Sequence, residues 1–121
     1  RRFVLVDPER LDLAKMQEAA QYLLGEHDFS AFCANKKMKK STVRRIDAIT
    51  ITRDGEELVL DFTGEGFLYN MVRILTGTLI EVGRDLRKPE EIPDVINAQD
   101  RGAAGFTAPA QGLYLMEVEY N

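Results

Sequence analysis

Two β-rich runs, Arg44 to Arg53 and Glu57 to Thr63, stand on either side of Asp54-Gly55. That dipeptide accommodates the positive φ angles of a tight turn, so the runs are predicted to pair antiparallel as a hairpin. Ile49 and Ile51 share one side of the first run, and Leu58, Leu60 and Phe62 share one side of the second. Because side chains alternate across a strand, the hairpin offers an apolar face to a core.

The flanking segments supply that core. Phe67 to Val82 places Leu68, Met71, Val72, Leu75, Leu79 and Val82 at helical intervals and stops at Gly83. Earlier in the chain, Leu13, Met16, Ala20, Leu23 and Leu24 repeat the spacing, with Asp12 as N-cap and Gly25 as stop. Phe3 to Val6 reads as a short strand. Lys88-Pro89-Glu90-Glu91 opens a further helix reaching Ala98, with Pro93 as a reason for a later start. Gln99 to Gly112, rich in Gly, Ala and Pro, reads as a structured loop. Leu113 to Tyr120 reads as a final strand with Tyr114, Met116, Val118 and Tyr120 on one side. Strands and helices alternate here without a strict β-α-β rhythm. The expected fold is therefore α+β, a largely antiparallel sheet with helices packed on it.

At 121 residues and 45% hydrophobic composition, a single domain spanning residues 1–121 is expected to bury roughly two thirds of its unfolded surface. No segment approaches the roughly 18 consecutive apolar residues of a membrane span, and the N-terminus lacks the pattern of a secretory signal. One cysteine, Cys33, and one histidine, His27, allow neither an internal disulfide nor a structural zinc site. A soluble protein of the reducing cytoplasm, without metal, is the expectation. The chain starts at Arg1 and not at methionine, which predicts that it is cut from a longer polypeptide or processed.

The net charge of −4 hides an uneven distribution. Lys36, Lys37, Lys39, Lys40, Arg44 and Arg45 lie within ten residues that hold no acid, so the other residues together carry −10. Such a strip can grip a polyanion on an acidic body, since counterion release depends on the charges that meet phosphates; a solvated surface loop is the plainer reading.

Arg73 is the residue most in need of explanation, for it sits among Met71, Val72, Ile74 and Leu75. A desolvated guanidinium there needs an anion, carboxylate or phosphate, unless it snorkels to water. Tyr69, Arg73 and Gly77 are spaced by four, which on a helix gives them one face, and the glycine leaves room for another backbone or a ligand. Gly64 and Gly66 lack the rest of a phosphate-loop fingerprint and read as a strand-to-helix bend. His27, Ser30 and Cys33 cluster in sequence without an orienting group. A buried thiol and a boundary histidine fit them better than a nucleophile and base. Phe29 and Phe32 read as core anchors.

Four segments together resemble the C-terminal region of the tRNA pseudouridine synthase A family: His27-Asp28-Phe29-Ser30-Ala31-Phe32, Gly66 to Arg73, Asp100-Arg101, and Ala104 to Pro109 running on to Gly112-Leu113-Tyr114-Leu115. Their order and spacing make the resemblance specific across residues 10 to 120. Many members carry histidine where Asn70 stands.

The resemblance implies isomerisation of uridine to pseudouridine in the tRNA anticodon arm, nominally at nucleotides 38 to 40, without metal or organic cofactor. It implies a catalytic aspartate in an N-terminal domain, within an Arg-Thr-Asp-Ala-Gly-Val type of motif that is absent from these residues. By the same resemblance Arg73 ion-pairs with that aspartate, Leu113 walls the uracil pocket, and Asp100 is not catalytic, while Arg101 helps to shape the loop from Gly105 to Pro109. The strip from Lys36 to Arg45 gains a role in holding tRNA, and the full-length enzyme is expected to be a homodimer. The chain alone is then the inactive C-terminal half of an isomerase. The alternatives are a stand-alone RNA-binding or dimerisation module, and an interaction domain whose basic strip is idle.

Overall fold

The computed structural model describes residues 1–7, 10–37, 39–109 and, as backbone, 115–118. Among these, five strands form one antiparallel sheet: β1 (Arg2–Val6), β2 (Gly25–Asp28), β3 (Val43–Asp54), β4 (Glu57–Glu65) and β5 (Leu115–Val118), in the order β2-β3-β4-β1-β5. Three α-helices accompany it, α1 (Leu13–Gln21), α2 (Met71–Gly83) and α3 (Ile92–Ala98). The expected α+β class with an antiparallel sheet is what is found. None of the helices is long and apolar enough to cross a membrane, among the described residues.

The hairpin forms, with its turn one residue later than the sequence suggests. Asp54 still pairs with Glu57, so the two turn residues are Gly55 and Glu56. Gly55 alone takes the positive angle, φ 63°, the arrangement of a turn with glycine in its first central position. A bulge between Ile46 and Ala48 shifts the alternation by one residue. Ile46, Ile49 and Ile51 thus all reach the buried face despite their uneven spacing. Leu58, Leu60 and Phe62 on β4, and Phe3 and Leu5 on β1, complete that face. Each such side chain contributes about 1.5–3 kcal/mol when fully buried.

Helix α2 is buried almost all round: of its thirteen residues, only Arg73 and Glu81 are not buried. Its hydroxyls stay satisfied inside the helix, Thr76 Oγ1 donating to the Val72 carbonyl and Thr78 Oγ1 to the Ile74 carbonyl, both at 2.8 Å. Helix α1 packs beside it. Gly83 makes that approach possible, since a Cβ there would come within 2.8 Å of Met16 Sδ. As expected, Asp12 caps α1, its Oδ1 accepting from the Lys15 amide at 3.1 Å. α1 ends at Gln21 and not near Gly25, because Gly25 (φ 93°) opens β2. That strand, Gly-Glu-His-Asp, has no apolar alternation to announce it. The helix after Lys88 begins as a 3-10 turn over Pro89–Glu91 and becomes α3 at Ile92, so Pro93 sits in a tolerated first-turn position. Of the predicted last strand, 115–118 pair with β1, and residues 113, 114, 119 and 120 lie outside the described residues.

Candidate functional site

Arg73 emerges from the apolar helix and meets the loop that follows Ala104. Its Nε donates to the Ala108 carbonyl at 2.7 Å, and Nη1 donates to Asn70 Oδ1 at 3.2 Å. The Ala108 amide returns a bond to the Arg73 carbonyl at 3.0 Å. Both partners of the guanidinium are neutral, and Nη2 has no partner among the described residues. The cation is therefore aimed and partly desolvated, with no ion pair among the described residues.

The loop that aims it is itself pinned at several points. Arg101 donates from Nη1 to the Gly105 carbonyl at 2.8 Å and from Nη2 to Thr107 Oγ1 at 3.0 Å, which gives it the expected shaping role. Glu81 accepts from the Phe106 amide at 3.0 Å and from Arg87 Nε at 2.9 Å, and Arg87 also donates to the Ala103 carbonyl at 2.8 Å. The Gly105 amide donates to the buried Thr78 Oγ1 at 2.9 Å. Gly77 does leave room for another backbone: a Cβ there would fall 1.8 Å from the Phe106 carbonyl oxygen.

The proposed common face of Tyr69, Arg73 and Gly77 does not form. α2 starts only at Met71, because Asn70 adopts the left-handed conformation, φ 58°. Tyr69 therefore lies off the helix and is 63% exposed. Gly66, at φ 65°, makes the expected bend from strand to helix. Leu113 lies outside the described residues.

Of the basic strip, Lys36, Lys37, Lys39 and Lys40 are exposed and make no ion pair among the described residues. The two arginines differ from them. Arg44 donates to the carbonyls of Gly66, Ser41 and Val43 at 2.6–2.7 Å, stapling the start of β3 to the bend. Arg45 pairs with Asp47 at 3.0 Å. The Ala34 amide donates to the Tyr69 carbonyl at 3.2 Å, which holds the lysine loop against the entrance to α2.

His27, Ser30 and Cys33 form no nucleophilic centre. His27 Nε2 lies 2.8 Å from the Leu24 carbonyl, its ring meets Phe29 edge-on, and the buried Cys33 thiol points to the Asn35 carbonyl at 3.6 Å. Phe29 and Phe32 are fully buried core residues. Asp28 Oδ1 accepts from Thr42 Oγ1 at 2.5 Å and from the Ser30 amide at 3.0 Å. These bonds, that of Thr42 foremost, hold its carboxyl below the usual aspartate range. Asp100 caps the turn at Arg101–Ala103 through the Gly102 amide, a structural task. Sequence reasoning missed the parts of the site supplied by backbone, Ala108 above all, since a carbonyl has no residue signature.

The segments that build this arrangement also carry its kinship. Residues 19–121 match the family described as tRNA pseudouridine synthase. The chain belongs to that family. It is 49% identical over 110 residues to tRNA pseudouridine synthase A of Geotalea uraniireducens, covering 91% of this chain and 45% of the relative. It is 51% identical over 112 residues to that of Pelobacter propionicus, covering 93% and 46%. It is 46% identical over its full 121 residues to tRNA pseudouridine synthase A 2 of Clostridium tetani, covering 49% of the relative. The chain spans about half the length of these curated relatives. Arg73, the loop after Ala104 and the lysine loop all fall inside the part matched to the pseudouridine synthase family.

Proposed function

We propose that this chain is the C-terminal half of an enzyme that isomerises uridine to pseudouridine in the anticodon arm of tRNA. One observation carries the reading: the Arg73 guanidinium is oriented by two neutral acceptors, and its Nη2 has no partner among the described residues. A partly desolvated cation without an anion is costly, and a carboxylate brought by the other half of the polypeptide would relieve that cost. Such a carboxylate is held ionised by the guanidinium, as a nucleophile or base in a closed pocket requires. The isomerisation breaks the bond between uracil N1 and the ribose carbon, makes one from C5 to that carbon, releases the C5 proton and returns a proton to N1. The reacting base must leave its stack, so the pocket needs an apolar wall, the part assigned to Leu113. Lys36, Lys37, Lys39 and Lys40 meet tRNA phosphates, with Arg44 and Arg45 adding charge at the edge of the same strip. A homodimer goes with this assignment, carried over from the family resemblance, and a cytoplasmic location fits the single cysteine.

The test compares the full-length polypeptide with the 121-residue chain on unmodified tRNA, reading pseudouridine by mass spectrometry of the digested RNA. Product from the full-length protein alone is expected. Robust turnover by the chain by itself would place the catalyst within these residues and overturn the division of labour.

A further inference from the structure

Tyr69 follows a buried leucine, Leu68, and comes two residues before a buried methionine, Met71. Yet Tyr69 is 63% exposed and makes no ring contact among the described residues. A lone exposed aromatic needs no special account. This one is held in place from three directions. Its carbonyl is fixed by the Ala34 amide at 3.2 Å, the residue that leads into Lys36 and Lys37. The next residue, Asn70, takes a left-handed conformation (φ 58°) that costs a non-glycine residue energy and that asparagine tolerates better than most. The Asn70 side chain is in turn tied to Arg73 Nη1 at 3.2 Å. The backbone on both sides of the ring is thus fixed to the candidate catalytic arginine and to the lysine loop.

We infer that Tyr69 is a stacking platform for an unpaired nucleobase of the RNA substrate, a neighbour of the base that reacts, while phosphates of the same strand meet the lysine loop. The inference rests on the reading of the chain as half of a tRNA-modifying enzyme. The chemistry of the surface favours it. Lys36 is the second residue after Ala34, at most about 7 Å of extended chain away, so a cationic rail runs close to the aromatic face. An aromatic ring beside a cationic track is the usual means of holding a single strand, since every base has a π-face and every link a negative charge. Tyr69 touches no reacting atom in this scheme. It is a positioning residue, and it acts on where the strand lies and not on the bond that breaks.

The experiment measures steady-state kinetics of the full-length protein on unmodified tRNA for wild type, Tyr69→Phe, Tyr69→Leu and Tyr69→Ala. Stacking is worth about 5- to 150-fold in affinity per base. Leu and Ala are therefore expected to raise KM by a factor in that range and leave saturated kcat within about twofold, with Phe close to wild type. An unchanged KM in the Leu and Ala variants overturns the inference. So does a loss confined to thermal stability, which would mean that the ring packs on the rest of the polypeptide. So does equal impairment of Phe, which would assign the role to the hydroxyl. A wild-type protein that makes no pseudouridine would refute the enzymatic reading instead. Equilibrium binding of an anticodon stem-loop to the same four proteins would then decide the stacking claim, with the same order of variants expected and equal affinities overturning it.

Discussion

Arg73 and Ala108 hold each other twice: the guanidinium Nε donates to the Ala108 carbonyl at 2.7 Å, and the Ala108 amide donates to the Arg73 carbonyl at 3.0 Å. The pair ties the direction of one cation to the position of a loop 35 residues away. A lysine cannot reproduce this, because it lacks the fork that bonds Ala108 and Asn70 with two nitrogens and keeps a third for another partner. Arg73→Lys in the full-length protein is expected to reduce kcat for pseudouridine formation by roughly 10²- to 10³-fold, the usual effect of losing one aimed donor. Retention of more than a tenth of wild-type kcat would remove Arg73 from the machinery.

Gly77 is the second half of that arrangement. A methyl group there would need to occupy space 1.8 Å from the Phe106 carbonyl oxygen, so the loop must move away from α2. Overpacking of this kind costs roughly 1–3 kcal/mol or more. Gly77→Ala is expected to lower the melting temperature by several degrees and to lower activity along with it, because the displaced loop carries Ala108. Wild-type thermal stability in this variant would mean that the loop and helix are not held together as described.

Sequence periodicity located α2 and α1 because each follows the helical spacing that burial enforces, and the hairpin because alternation holds from Ile49 to Phe62 around a glycine turn, although the bulge before Ala48 breaks it earlier in β3. Three features were hidden for physical causes. β2 is a short polar edge strand recruited by β3, so nothing in Gly25–Asp28 alone declares it. The start of α2 depends on one left-handed residue, Asn70, which propensity places equally well inside a helix or before it. The partners of Arg73 are a carbonyl and an amide oxygen, and the demand for an anion is met by nothing among the described residues. A pattern of side chains can reveal that a charge needs a partner, while the partner's place depends on tertiary approach.

A second partly buried arginine, Arg53, does have an anionic partner. Asp7, almost wholly buried, accepts from Arg53 Nη1 at 3.0 Å and from the Leu11 amide at 2.7 Å, while Arg53 Nη2 donates to the Leu11 carbonyl at 2.7 Å. This cluster joins the end of β1 to β3 and to the approach to α1. Arg53→Met strands a buried carboxylate and is expected to cost about 3 kcal/mol in chemical denaturation. The double variant Asp7→Asn with Arg53→Met should lose less than the sum of the singles. Strict additivity would show that the two side chains are not coupled.

Asp28 makes stability depend on acid. Its folded-state carboxyl titrates below the ordinary aspartate value of 3.8, chiefly through the Thr42 hydroxyl. A depressed folded pKa means that the stabilisation is fully present above the unfolded value and is lost as pH falls through the folded one. Thr42→Val should therefore destabilise the protein at neutral pH, with the difference from wild type shrinking below about pH 4. Melting temperatures between pH 2.5 and 7 would show this convergence; a constant gap would assign the loss to packing alone.

The lysine loop is separable from the fold, since Lys36, Lys37, Lys39 and Lys40 are exposed and make no ion pair among the described residues. Changing all four to glutamine should leave the melting temperature of the full-length protein nearly unchanged. Binding to tRNA should respond in a specific way, because each phosphate contact releases condensed counterions. The plot of log affinity against log salt loses roughly 0.7 to 0.9 of slope for each contact removed, so a loss of about three is expected if all four meet phosphates. Lys15 is the control, for its ammonium is engaged by Asp85 on another part of the surface. Lys15→Gln should leave the slope as it was. Equal slopes for wild type and the quadruple variant would make the strip an idle charged surface, and the tRNA would then have to be held by other residues.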